Sequence, residues 1–361
     1  MTQLTTSLHT ENHSISNSNV GIIKKVTILI PAYNEEENIP HLIEELERIA
    51  MQISEQEDGI SVEWEYMFVN DGSTDRTLEV LTEQRERNPN INIINLSRNF
   101  GKENAMLAGM DYATGDAVII MDADLQDPVD SIPEMLYWWQ QGYDDVYGRR
   151  HNRGKESLIR KQLSLLFYRL LQGTTRIEIL QNVGDFRLLD RSVVEAIRSL
   201  RETQRYTKGL YSWVGFKKKE IIFDREDRKE GKSSFSYKKL FNLAIDGITC
   251  FTTSPLRISS VLGFIVSLMA LIYLFVVLFK TIIWGEPVRG FPTILCAILL
   301  LGGVQLIVLG IIGEYIAKIY NETKKRPPYI VEDINGNQVA ACHKATHPYN
   351  ERRVNDDRES K

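Results

Sequence analysis

Short apolar runs alternate along the chain with helically spaced apolar positions, and each run stops abruptly in a polar cluster. Val26-Thr-Ile-Leu-Ile30 predicts a buried strand, with Pro31-Ala-Tyr-Asn-Glu35 as the loop at its carboxyl end. Ile39, Leu42, Ile43, Leu46 and Ile49 recur at helical spacing and predict a helix over 39–53. A second strand, Glu65–Val69, runs into Asn70-Asp-Gly-Ser-Thr-Asp75, a turn followed by a capped helix. A third pair comprises Ile91–Leu96, the loop Ser97–Gly101 and a helix from Lys102 to about Tyr112. The fourth run, Val118-Ile-Ile-Met121, ends in Asp122-Ala-Asp-Leu-Gln-Asp-Pro128, and a fifth strand is expected at Asp144–Tyr147. This alternation predicts an α/β domain with a mostly parallel sheet covered on both faces. Ligands of such sheets bind beyond the carboxyl ends of the strands, where these polar clusters fall.

The acidic end of the fourth strand carries the first chemistry. Residues two apart in a strand share a side, so Asp122 and Asp124 are expected to face one ligand where the strand stops. Hard oxygens of this kind suit Mg²⁺ or Mn²⁺ bridged to a substrate phosphate, although Asp-x-Asp is also common in acidic loops.

Two later stretches change the picture from a soluble domain to a membrane protein. Residues 258–279 and 291–313 contain no charged side chain, and each is long enough to cross a bilayer core of about 30 Å. Lys238, Lys239 and Arg257 precede the first, and Lys318, Lys324, Lys325 and Arg326 follow the second. That bias predicts a hairpin with the large domain and both termini cytoplasmic. Residues 1–23 lack a signal-peptide pattern and read as a disordered tail. The expected order is then a catalytic domain over 24–235, an amphipathic juxtamembrane segment over 236–257, two spans, and a tail over 314–361, disordered from about Val331. Leu163–Leu171 and Tyr237–Phe251 mix apolar faces with cations, as helices lying on a membrane surface do. Gly302, Gly303, Gly310 and Gly313 permit close helix packing, including between subunits of a homo-oligomer.

The net charge of −5 over 361 residues says little about partners, because the basic residues cluster. Arg149, Arg150, Arg153, Lys155, Arg160 and Lys161 stand against the single acid Glu156, so an anionic ligand fits between this run and the acidic strand end. Cys250, Cys296 and Cys342 have no metal-type spacing and fit a reducing compartment. No Gly-x-Gly-x-x-Gly follows a strand, which disfavours a dinucleotide oxidoreductase. Gly231-Lys-Ser233 fails as a P-loop because Glu226 stands where the first glycine is required.

Pro31-Ala-Tyr-Asn-Glu35, Val69-Asn-Asp-Gly-Ser-Thr-Asp75, Arg98-Asn-Phe-Gly-Lys102 and Met121-Asp-Ala-Asp-Leu-Gln-Asp-Pro128 together resemble the family 2 glycosyltransferases of the GT-A fold. Gly184-Asp-Phe-Arg187 and the two spans are similar to the polyprenyl-phosphate branch of that family, which includes bactoprenol glucosyltransferases and dolichol-phosphate mannose synthase. The likeness covers about residues 24–328.

The resemblance implies an inverting, metal-dependent hexosyltransferase of a bacterial inner membrane. It would move glucose from UDP-glucose to polyprenyl phosphate for cell-envelope glycan or glycosylation. Pro31, Tyr33, Glu35 and Asp71 match the nucleoside-binding positions, and Asp122, Asp124 and Gln126 the metal positions. Arg150, Arg160 and Ser164 match the acceptor-phosphate contacts, with Arg149 as the alternative if the register slips by one. Arg225, Arg228, Gly231 and Ser233 match a loop that closes over the site. Asp185 matches a carboxylate that acts as base in hydroxyl-accepting relatives, and a phosphate acceptor would leave it to orient substrate. Turn formation or helix capping is the competing role for Asp71 and Asp75, and capping fits Asp75 better. The implied partners are a UDP- or GDP-sugar, polyprenyl phosphate and membrane lipid, with no nucleic acid. The alternatives are another donor, such as GDP-mannose or UDP-N-acetylglucosamine, a hydroxyl acceptor, or a non-catalytic membrane protein on a retired domain. A processive synthase is disfavoured because no Gln-x-x-Arg-Trp occurs.

Overall fold

The computed structural model describes residues 24–55, 61–150, 183–203, 205–223 and 290–339, with scattered positions from 256 to 283. The expected tail 1–23, the juxtamembrane segments, and Arg160, Ser164, Arg225, Arg228, Gly231 and Ser233 lie outside these residues, and only the backbone of Arg150 is described.

The chain begins with β1 (Lys24–Ala32), α1 (Asn38–Ser54), β2 (Val62–Asn70), α2 (Thr77–Arg87), β3 (Ile91–Leu96), α3 (Lys102–Tyr112) and β4 (Ala117–Ile120). β2 pairs in parallel with β1 and β3, and β1 with β4. Side chains alternate along β1: Val26, Ile28 and Ile30 enter the core under α1, whereas Leu29 enters the one under α3. α1 buries the predicted stripe Ile39, Leu42, Ile43, Leu46 and Ile49.

Beyond β4 come α4 (Ile132–Gln140), β5 (Asp145–Arg150), β6 (Val183–Asp190), α5 (Arg191–Ser199), α6 (Thr207–Trp213) and β7 (Lys218–Phe223). β6 runs antiparallel to both β4 and β5, and β7 parallel to β5. The sheet keeps the expected parallel centre and is reversed at β6. Because β6 is reversed, it begins at the edge where β1, β2 and β4 end. Ile120 pairs with Arg187, and the same register carried two residues on sets Asp122 opposite Asp185. β5 extends further into the basic run than Asp144–Tyr147 suggests, ending at Arg150.

β4 itself stops at Ile120, so Asp122 and Asp124 lie in the turn beyond it rather than on alternating strand positions. Leu125 within that turn has φ 58°, a left-handed backbone that costs a branched side chain energy and that clusters at functional sites.

α7 (Phe291–Thr323) outruns the predicted second span by ten residues, and its Leu301–Thr323 stretch is long and apolar enough to cross a membrane. Leu306, Ile307 and Leu309 on it are exposed. The described positions of the first predicted span are helical, and Ser259, Gly263 and Val266 line a groove of about 350 Å³ with Val304, Gln305 and Val308. The chain then returns to the sheet, which corrects the expectation of disorder from Val331. β8 (Val331–Ile334) pairs antiparallel with β3 and with β9 (Asn337–Gln338). Acidic residues between the apolar ends of this four-residue strand make it read as a charged tail in the sequence.

Candidate active site

Loops after β1, β2 and β3 are laced into one rim. The Asn34 amide donates to Ser73 Oγ at 3.0 Å, and the Thr74 amide donates back to Asn34 Oδ1 at 2.8 Å. The Glu35 amide donates to Thr77 Oγ1 at 2.9 Å. Asp75 accepts from the Thr77 amide at 3.0 Å and from the Glu36 amide at 3.3 Å, so it ties the start of α2 to the first loop. Asp71 continues the rim: its carboxylate accepts the Phe100 amide at 2.7 Å and the Gly101 amide at 2.9 Å. Burial pushes Asp71 up from the ordinary carboxylate value against the pull of those two amides. Gly72, at φ 64°, lets the second and third loops touch, since a Cβ there would stand 2.4 Å from the Arg98 carbonyl carbon.

This rim and the acidic turn enclose a cleft of about 330 Å³. Pro31, Tyr33, Glu35 and Asp71 line it from one side, and Asp122 and Asp124 from the other, together with Asn99, Gly101 and Lys102. Six residues predicted from three separate stretches therefore share one concavity. Gln126 is buried and does not line it; its backbone amide donates to Asp124 Oδ1 at 3.2 Å.

The residue that sequence reasoning left without a role is Lys102. Its Nζ lies 2.5 Å from Asp122 Oδ1 and 2.6 Å from Asp185 Oδ2, bridging the two carboxylates that the β4–β6 register sets opposite each other. Burial works against the ammonium, but Asp122 and then Asp185 hold it above the ordinary lysine value. Burial alone would raise Asp185 as well; Lys102 and Lys208 hold it below the ordinary carboxylate range. Asp127 is also new to the site: it is buried, accepts the Asp122 amide at 3.0 Å, and is pushed to about 7 by burial and then by the Asp122 charge. Glu103, next to Lys102, reaches about 7 through burial and then the Asp185 charge, and it accepts the amide and hydroxyl of Thr207 at the start of α6. Under β6, Arg187 pairs with Asp145 at 3.1 Å and lies 3.6 Å over the Tyr211 ring, fixing the strand that presents Asp185. An excess of acids at one sheet edge was the available signal that a cation must stand among them.

Asp122 and Asp124 give a divalent ion two hard oxygen donors in one cleft. Among the described residues no group of three or more His, Cys, Asp or Glu side chains is arranged to hold a metal. The donor set therefore fits an ion completed by diphosphate and water, and not one caged by protein alone. Of the basic candidates, Arg149 is turned to Glu220 on β7 at 3.1 Å.

Residues 27–198 match the glycosyl transferase family 2 profile, and residues 254–319 match the GtrB C-terminal hairpin. An uncharacterized glycosyltransferase of Synechocystis is 46% identical over 86% of this chain and 96% of its own length. A prophage bactoprenol glucosyl transferase homolog of Escherichia coli is 42% identical over 86% of this chain and 99% of its own. The bactoprenol glucosyl transferase of Shigella phage SfX is 41% identical over 85% and 99%. With its GT-A sheet, a rim of converging loops and this similarity over most of its length, the chain belongs to the family 2 glycosyltransferases that carry a GtrB-type C-terminal hairpin.

Proposed function

We propose that the protein is an inverting hexosyltransferase that moves glucose from UDP-glucose to polyprenyl phosphate at the cytoplasmic face of a bacterial membrane. The observation that carries this reading is the joining in one chain of a cleft lined by Asp122 and Asp124 with a helix whose outer surface is apolar. The names of the Escherichia coli and phage relatives support the glucosyl donor and the lipid acceptor.

Pro31, Tyr33, Glu35 and Asp71 bind the nucleoside in this scheme, with the Asp71 carboxylate supporting the loop that closes the cleft. An oxygen of the acceptor phosphate attacks C1 of the sugar as the bond from C1 to the diphosphate oxygen breaks. The nucleoside diphosphate departs with that electron pair, and the configuration at C1 inverts. A phosphate monoester has its second pKa near 6, so the attacking oxygen is already largely ionised and no strong general base is required. Asp185 then orients the sugar or the acceptor. Mg²⁺ or Mn²⁺, held by Asp122 and Asp124 with Gln126 nearby, would offset the charge that gathers on the leaving diphosphate. Arg150, Arg160, Ser164, Arg225, Arg228 and Ser233 are the residues assigned to the acceptor phosphate in this reading.

The experiment is incubation of the purified protein with polyprenyl phosphate, Mg²⁺ or Mn²⁺, and labelled UDP-glucose, GDP-mannose or UDP-N-acetylglucosamine in parallel. Label should enter the lipid from UDP-glucose. Transfer from another donor instead would reject glucose while keeping the reaction class.

A further inference from the structure

Asp122 faces the cleft with one of its oxygens already engaged by a cation, Lys102, 2.5 Å away. A divalent ion approaching the same carboxylate meets a positive charge at contact distance, and like charges that close repel strongly outside bulk water. Lys102 has somewhere else to go. Asp185 Oδ2 holds it at 2.6 Å, and the other oxygen of that carboxylate, Oδ1, is buried without a hydrogen-bond partner, so Asp185 has unused capacity to receive the ammonium alone. The lysine side chain is 41% exposed in the cleft, while its backbone is fixed as the first residue of α3, directly after the Gly101 amide that Asp71 holds. Movement is thus confined to a flexible four-carbon stem.

We propose that Lys102 is a resident counter-ion that keeps free divalent ions off Asp122 and surrenders that carboxylate only when a nucleotide diphosphate arrives with the metal. The inference rests on the metal-assisted reading of the donor site and deepens it. The arriving diphosphate supplies new anionic partners for the ammonium, and Asp185 keeps its share, so charge is balanced both in the empty cleft and in the loaded one. Without Lys102 the empty site would set Asp122 against Asp185 with nothing between them. The consequence is coupling: the cleft selects the metal–diphosphate chelate over either component.

The test is Mn²⁺ binding to the full-length, detergent-purified protein, read from the electron paramagnetic resonance signal of the free ion, with and without UDP or GDP. Wild-type protein should bind Mn²⁺ weakly alone and about tenfold or more tightly with nucleotide. Lys102→Gln should bind Mn²⁺ alone about tenfold more tightly than wild type, with the nucleotide effect reduced. Lys102→Met, closer in volume, repeats the measurement should the glutamine variant fold poorly, and Lys102→Arg should keep the wild-type pattern. If wild type binds Mn²⁺ with nucleotide but neither neutral variant tightens binding of the ion alone, the counter-ion role is overturned and the metal-assisted reading stands. If wild type binds no Mn²⁺ even with nucleotide, that reading fails and this inference with it.

Discussion

Tyr329 donates its hydroxyl to Asp111 Oδ2 at 2.5 Å, joining the segment after α7 to the carboxyl-terminal part of α3. Asp111 is buried and also accepts from Arg198 and Arg201, at 3.3 and 2.7 Å. The end of α7 is tied down nearby, where Glu322 accepts the Thr203 amide at 2.8 Å. The apolar helix is thereby anchored at its exit to the domain that carries the cleft. Tyr329→Phe should lower stability by about 1–2 kcal/mol, the scale of one buried hydrogen bond to a charged group. Asp111→Ala should cost more, about 3–5 kcal/mol, because it removes the buried carboxylate that Arg198, Arg201 and Tyr329 share. Thermal unfolding of the two variants checks the order; equal losses would contradict it.

Gly72 offers a test of the rim. Alanine there would need a left-handed backbone and would clash with main-chain atoms of Arg98 and Asn99, which cannot swing aside as a side chain can. Gly72→Ala should destabilise by about 1–3 kcal/mol and raise the donor KM more than the acceptor KM. Unchanged donor KM in a folded variant would show that the contact between these loops does not shape the donor site.

Glu103 sets a pH dependence. Its carboxyl is raised to about 7 in the folded protein, so the folded state binds more protons than the unfolded one between the ordinary carboxylate value and that pH. Stability contributed by this group is therefore present at low pH and lost as pH rises towards 7. Glu103→Gln keeps an acceptor for Thr207 and removes the charge. It should raise stability at pH 8 by roughly 1–3 kcal/mol over wild type, with little difference near pH 4. Chemical denaturation at the two pH values checks the sign.

Asp124→Asn should abolish turnover without unfolding the acidic turn. Asparagine retains an Oδ1 that accepts the Gln126 amide, so the local bond persists while the charge that would hold the metal is gone. Arg160→Ala, by contrast, should weaken binding of the lipid phosphate more than that of the nucleotide. Comparable loss of both in isothermal titrations would count against the assigned roles.

Much of the central sheet was legible because period and punctuation agreed. Ile91–Leu96 and Lys102–Tyr112 have the ends their patterns predict, and the stripe from Ile39 to Ile53 is the buried face of α1. The edges were less legible. Val331-Glu-Asp-Ile334 reads as a charged tail, yet its backbone completes β3. Gly184-Asp-Phe-Arg187 is readable as a motif, but nothing in its composition says that the strand bearing it runs backwards, and that reversal is what brings Asp185 to Asp122. The cleft residues Pro31, Tyr33, Glu35, Asp71, Asp122 and Asp124 could be picked out because each closes an apolar run. Lys102 could not, since a lysine opening a helix looks like an ordinary solvated residue until both its partners are in place.

A lipid phosphate as acceptor is what distinguishes the proposed reaction from transfer to a hydroxyl. Its most direct measurement is transfer from labelled UDP-glucose to polyprenyl phosphate and to the matching polyprenol, at equal concentration in the same detergent with Mg²⁺ or Mn²⁺ present. Label is expected in a polyprenyl-phosphate sugar and none on the alcohol. Label on the alcohol with none on the phosphate would contradict it.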